Sequence, residues 1–600
     1  MFAFIQSINL NLNQMRFKYV NILYSAILLF GVQQSLQGQS FSGTDDLGRK
    51  LPLQDAVGAK KEGKQVGIFY FLWQGDSGSP TSETHWDLTK LYQDHPEVYH
   101  DFHHKNWGGG SAGAGRYYFW GEPIYGYYRG DDQWVHLKNM QLLADADVDF
   151  LVIDATNRLT YTKQVKSLLG AMKTLMDQGK KAPKIVFYTN TKSGDAMQEI
   201  YDTFYSPAVS DPQKDSWYFL DGKPLIIGLS KEAKGRDYES FFTIRESQWP
   251  NEPEKVDGWP WIEFQRPQKV YKNNRGEKEI VNVSASQHPN LDASMGGSAF
   301  YGKSGNWGRS YRNNSAGNPD KDIFYGYNIQ EQWDFALKQD VPFVFITGWN
   351  EWIAGKWQRT DEHKDQAHFV DQASPEYSRD IEPTWTSGLK DNYYMQMISN
   401  IRRYKGTDEV PVIEKTKEIP AIHSWNKVKD LYVDYVGDVL HRNHPGAQTE
   451  PKVQYVNESG RNDIKNIKVS ATDRVLGFYV ETVNPLSTTK TDNWMTLWLN
   501  SDNNNKTGWH GYDYRVIRGN QLQKCVDGFW EDDKLLEFEE KGNALLIKVP
   551  VSDIGMSKEG YSMEFKWSDN MMKDDPLDWY VNGDAAPGGR LNLLIQVQKR

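Results

Sequence analysis

The chain has 600 residues, a formal net charge of −10 and 14% aromatic residues, among them 22 Trp and 33 Tyr. That length exceeds one ordinary domain. The interspersed charges exclude the basic stripe that a nucleic-acid partner needs, and the single cysteine, Cys525, excludes a disulfide framework or a Cys-based zinc site within one chain.

At the N-terminus, Arg16 and Lys18 precede an apolar run over 20–32, and small and polar residues follow at 36–39. This is the order of a secretory signal peptide, cut near Gly38. The run is too short to span a membrane, and no later segment reads as a span. Residues 1–38 are therefore set aside, and the mature protein is expected to be periplasmic or secreted.

From 45 to 405 the sequence alternates strand-like and helix-like segments. Apolar runs recur at 66–73, 148–156, 184–190, 224–230, 241–245, 258–264, 280–286 and 342–348. Most lack polar alternation, as strands buried on both faces do. Between several of them, 133–146, 162–178, 194–204 and 330–338 carry apolar residues at helical spacing. The expected fold class is α/β: a (β/α)8 TIM barrel. An open doubly wound sheet is the alternative, but no strand runs into a Gly-rich dinucleotide turn. Two long Gly-, Asn- and aromatic-rich stretches, 74–132 and 287–330, read as functional loops at the C-terminal ends of strands.

Residues 406–425, with Pro411, Pro420 and alternating charges, read as a linker. Beyond them, 426–600 holds short alternating runs at 452–456, 475–482, 494–499, 545–549, 562–567 and 591–597. Turn clusters separate these runs, the pattern of an antiparallel β-sandwich. Cys525 reads as a small buried hydrophobe.

The strongest chemical signal is Val344-Phe345-Ile346-Thr347-Gly348-Trp349-Asn350-Glu351-Trp352, an apolar strand running into a polar and aromatic cluster. On a barrel this puts Glu351 at the catalytic rim, where carboxyls cleave glycosidic bonds. The bland reading makes Glu351 a helix cap and Trp349 and Trp352 core. The segment resembles the GWNEW stretch of glycoside hydrolase family 99 and its wider 71/99-like clan. Asp149–Asn157 and Tyr377–Pro383 resemble other segments of 71/99-like proteins from polysaccharide-degrading bacteria. The resemblance implies an endo-acting glycosidase in which Glu351 acts on the sugar 2-hydroxyl. The family's general acid falls three residues on, where this chain has Ala354.

Candidates for that acid follow from strand ends: Asp154, Glu263 and Glu382. Candidates for substrate binding are Tyr70, Trp73, Asp132, His136, Asn157, Tyr188, Gln287, His288, Trp349, Asn350 and Trp352. Asp132 reads equally as a helix N-cap, and a lone His such as His288 as a satisfied polar residue. No metal site or cofactor is expected: His103-His104 lacks ligand spacing, and 501–507 reads as a turn. In the sandwich, Trp509, Tyr512 and Trp530 sit in segments similar to family 9-type carbohydrate-binding, DOMON-like modules. They are a sugar platform or core.

The expected function is hydrolysis of glycosidic bonds in a polysaccharide or oligosaccharide substrate, with no nucleic-acid or membrane partner. The sequence leaves oligomeric state, sugar and linkage open. The rival readings are a non-catalytic glycan-binding protein, motivated by Ala354, and a lyase or transferase on the same barrel.

Overall fold

The structure, a computed structural model, describes residues 41–75, 85–107, 116–210, 213–250, 252–289, 306–358, 367–369, 373–449, 452–556 and 560–598. The expected signal peptide lies outside the described residues. Among them, no helix is long and apolar enough to cross a membrane.

Eight parallel strands form one nearly closed sheet: β1 (Gln65–Tyr70), β2 (Phe150–Ala155), β3 (Lys184–Thr189), β4 (Lys223–Gly228), β5 (Thr243–Gln248), β6 (Gly258–Pro260), β7 (Lys278–Ser284) and β8 (Phe343–Thr347). They pair in sequence order, and β8 closes back onto β1. The break lies between β6 and β7, and side chains bridge it. Trp259 Nε1 donates to Glu279 at 2.9 Å, the Glu263 amide donates to Asn282 Oδ1 at 3.1 Å, and Thr347 Oγ1 donates to the Trp261 carbonyl at 2.7 Å.

The period-2 alternation of strands explains the apolar runs. Phe69, Phe150, Val152, Val186, Tyr188, Leu225, Trp259 and Phe345 fill the inside, while Ile68, Leu151, Ile153, Ile185 and Val344 pack outward against helices. Gly67 is required on the inner face. A Cβ there would lie 2.1 Å from the Phe150 ring. Gly67→Ala is expected to cost about 1–3 kcal/mol by overpacking. Denaturant unfolding checks this, with Phe150→Leu in the same chain recovering part of the loss.

Helices α1 (Gln133–Asp145), α2 (Thr162–Met176), α3 (Ser193–Ile200), α4 (Tyr327–Gln339) and α5 (Asn392–Lys405) follow β1, β2, β3, β7 and β8, and a single turn, Ser230–Ala233, follows β4. Among the described residues no helix follows β5 or β6. Two expected strands are displaced. Phe241 and Phe242 pack with Tyr201 and Tyr205, outside the sheet, and the paired segment starts at Thr243. Its inward Arg245 is bound by Glu279 and masks the apolar signal. β6 stops at Pro260, which has no N–H to continue a ladder.

The long stretch after β1 is not all loop, and the chain after β8 also holds strands. They contribute a four-stranded sheet from His85–Asp87, Arg116–Phe119, Ile353–Gln358 and Ala367–Phe369. Ala354 lies inside it, paired with Tyr118 and fully buried.

Two antiparallel-rich sheets follow. One is built on Thr496–Asn500, Tyr561–Asp569 and Leu591–Val597, the other on Ile464–Ala471, Val475–Thr482 and Ala544–Pro550. Phe41–Gly43 and Val412–Ile413 both join the last strand, so chain from either side of the barrel lies on this sheet. The stretch 406–425 is thus bound along the sheets; Trp425 stacks on Tyr479 at 5.1 Å. A hairpin, Arg442–Thr449 with Lys452–Asn457, reaches back to the barrel, where Tyr455 Oη accepts from the Tyr127 amide. Ser40–Arg600 form one compact unit. Cys525 is half-buried, not core, because its strand lies near the sheet edge.

Candidate active site

The C-terminal ends of β2, β6 and β8 bring three side chains together. Trp261, following β6, faces inward. Its Nε1 donates to Asp154 Oδ2 at 2.8 Å, at the end of β2. The other Asp154 oxygen accepts from the amide and hydroxyl of Thr156, at 2.9 and 2.6 Å. The Arg379 guanidinium lies over the Trp261 ring, 4.9 Å from its centroid, and grips Glu351 at 2.5 Å. Trp249 stacks on the same indole at 5.3 Å. The Trp261 ring therefore contacts Asp154 directly and Glu351 through Arg379.

Tyr161 faces both acids. Burial, then the charges of Asp154 and Glu351, push its phenol well up, so it remains a hydrogen-bond donor at physiological pH. Tyr161 takes φ 49°, ψ 41° just before α2, a left-handed conformation uncommon for a bulky residue and frequent at functional sites. Tyr117 also bears on Tyr161, and Trp73 packs edge-on against Tyr117 at 5.4 Å. His288 accepts from Arg379 at 3.4 Å and packs on Phe264. Burial and Arg379 hold it well below the usual histidine range, hence neutral.

Of the residues expected at the site, the structure gathers Asp154, Glu351, His288 and Trp73 here. Asn157 is exposed just beyond β2. The others are committed elsewhere. Trp349 and Trp352 are fully buried core residues, packed against Tyr394 and against Phe119 and Tyr127 respectively. Asn350 bonds both Phe71 backbone groups and Tyr128. Glu382 accepts from Tyr128 at 2.8 Å; burial raises it well above the carboxylate range and keeps its proton. Glu263 is held by Tyr271 and the Gln265 amide, Tyr188 lies inside the barrel on the Trp259 carbonyl, and Gln287 bonds Gln332.

Asp132 caps α1 and pairs with Arg442. Tyr70, on the outer side of β1, meets His136 of that helix. Since the Gly130 carbonyl only accepts, His136 Nε2 donates to it at 2.9 Å, and Nδ1 accepts from Tyr70 at 2.9 Å. Both ring nitrogens are satisfied in the neutral form, and burial pushes His136 down to about 4. In the unfolded chain the ring titrates near 6.5. Its contribution is thus fully present above about pH 6.5 and lost as pH falls toward 4, up to about 3 kcal/mol. His136→Gln is expected to flatten the decline of Tm between pH 7 and 4.5; parallel profiles would refute it.

Sequence reasoning missed Arg379, Trp261 and Tyr161. Trp261 was legible from parity, two residues after the inward Trp259. Arg379 lies within Tyr377–Pro383, a segment noted only for its resemblance, and Tyr161 carries no local signal. In the sandwich, Trp509 and Tyr512 are buried with Trp498 and Trp579 in one aromatic cluster and present no open platform; Trp530 is half-buried at its edge.

No protein-family profile and no curated protein matches the chain. Among solved structures, it is similar to a GH99 endo-alpha-mannosidase from Bacteroides thetaiotaomicron, at 14% identity over 57% of this chain and 97% of that one, with a TM-score of 0.34. A carbohydrate binding module family 9 protein from Caldicellulosiruptor kristjanssonii, in complex with cellotriose, matches at 12% identity over 32% of this chain and 95% of its own, with a TM-score of 0.18. A glycoside hydrolase-like protein matches at 11% identity over 58% and 95%, with a TM-score of 0.25.

Proposed function

We propose that the protein is an exported glycoside hydrolase, a (β/α)8 barrel with an appended carbohydrate-binding-like sandwich, that cleaves a polysaccharide or glycan at the end of the barrel where Asp154 and Glu351 meet. One observation carries the reading: Trp261 donates to Asp154 at the end of β2 and lies under Arg379, which pairs with Glu351 beyond β8, among Trp73, Tyr117, Tyr161 and Trp249. Aromatic faces suit sugar C–H faces, and paired carboxyls suit an oxocarbenium-like transition state.

The roles divide by charge. Arg379 favours the carboxylate form of Glu351, which makes it a base or a charge stabiliser and a poor proton donor. Asp154, which accepts from an indole, an amide and a hydroxyl, is the second carboxyl that an acid–base pair needs. It takes the acid role. A 2-hydroxyl route through Glu351 requires that 2-deoxygenated substrates be inert while 3-deoxygenated ones react.

The test is product analysis across a polysaccharide and glycan panel. New reducing ends support hydrolysis, and ultraviolet-absorbing unsaturated products indicate a lyase. Binding without turnover by the wild type would replace the reading with a glycan-binding protein.

A further inference from the structure

Away from the barrel's reactive end, three aspartates meet where the sandwich packs under α1. Asp438 precedes the hairpin, Asp463 precedes the strand Ile464–Ala471, and Asp584 opens the strand Asp584–Ala586. One carboxylate oxygen from each lies within 4.8 Å of those of the other two. Each residue spends Oδ2 on a protein donor: Lys138 of α1 at 3.2 Å for Asp438, the Gly437 amide at 2.8 Å for Asp463, and the Ile464 amide at 2.6 Å for Asp584. In all three, Oδ1 is buried without a hydrogen-bond partner. Asp434, only 2% exposed, faces Asp438 and Asp584 and also leaves an oxygen, Oδ2, unpartnered. Buried polar atoms are almost always satisfied, so four orphaned carboxylate oxygens in one place require an explanation.

Charge gives the same answer. Among the described residues, Asp145, Asp434, Asp438, Asp463 and Asp584 act electrostatically on one another and on Lys138, Lys180 and Lys566. Counted with every group ionised, five carboxyls against three ammonium groups leave two negative charges, which one divalent cation would balance. The donors are all oxygen, with no histidine or cysteine, which selects a hard cation. The oxygens lie within 4.8 Å of one another, and a buried all-protein carboxylate cage suits calcium better than magnesium, which keeps several of its waters.

We propose that Asp438, Asp463 and Asp584 bind one calcium-class divalent cation that clamps three sandwich segments beneath α1. The site has no part in the reaction proposed at the barrel's end. Its ion is structural, because it joins the hairpin's root, the strand beginning at Ile464 and the strand beginning at Asp584.

The full-length protein, stripped with chelator and dialysed, is titrated with calcium by calorimetry. It is then titrated with terbium, whose luminescence nearby Tyr435, Trp579 and Tyr580 would sensitise. The expected result is one equivalent of calcium, weaker binding of magnesium, and a Tm raised by a few degrees at saturation. Asp463→Asn and Asp584→Asn should each weaken calcium at least tenfold, and Asp502→Asn, in the distant turn, should not. Absence of calcium binding by the wild type overturns the proposal, as does unchanged affinity in the cluster variants. If Asp584→Asn fails to fold, Asp438→Asn and the wild-type titration still decide.

Discussion

Glu351→Gln is expected to lower kcat on the cleaved glycan by about 10²- to 10⁴-fold, the range for losing a positioned acid–base group, with KM little changed. The amide keeps the shape of the side chain and removes the charge that faces Arg379 and Tyr161. It also removes the carboxylate charge from the pair with the Arg379 guanidinium, which is 3% exposed. A stability loss should accompany the kinetic one, so rates are compared well below the Tm of both proteins. A readout that misfolding does not mimic comes from Arg379→Met. Without the guanidinium, Glu351 holds its proton more tightly, and the acidic limb of the kcat/KM profile should move up by about 1–3 pH units. Turnover by Glu351→Gln equal to wild type would remove Glu351 from the chemistry.

Arg442→Ala is expected to destabilise the protein by about 3–5 kcal/mol, the cost of stranding a buried partner charge. The guanidinium donates twice to Asp132 Oδ2, at 2.9 and 2.8 Å, and once to the Tyr125 carbonyl at 2.7 Å. Its face covers Trp134 and Tyr455. Asp132, nearly inaccessible, would remain as the cap of α1 with no cation on Oδ2 beyond the weakly placed His444 at 3.7 Å. The hairpin would also lose its anchor on the barrel. Denaturant unfolding measures the loss, and adding Asp132→Asn should recover part of it because the stranded charge is gone. An additive double variant would show that the pair does not couple.

Much of the fold was legible locally. β2, β3 and β8 carry inward and outward apolar residues together, so burial on both faces appears as unbroken apolar runs. β5 was misplaced because its inward Arg245 is satisfied by Glu279, thirty-four residues away. No local pattern reports a partner at that distance. At the site, Asp154 and Glu351 were legible as acids at strand ends, while Tyr70 and Asn350 lie just as near strand ends and turn into closed polar networks, Tyr70 with His136 of α1. Chain position does not distinguish a side chain facing the barrel axis from one facing a helix.

The sequence by itself determined the alternation of strands and helices, the carboxylate ending β8 and the β-rich tail, because periodicity and composition act over a few residues. Only the tertiary structure decided that Arg379 neutralises Glu351, that Trp261 ties it to Asp154, and that Asp438, Asp463 and Asp584 converge beneath α1. Each of those depends on segments far apart in the chain meeting at hydrogen-bond distance, and Coulomb energy and desolvation depend on separation in space, not on separation in sequence.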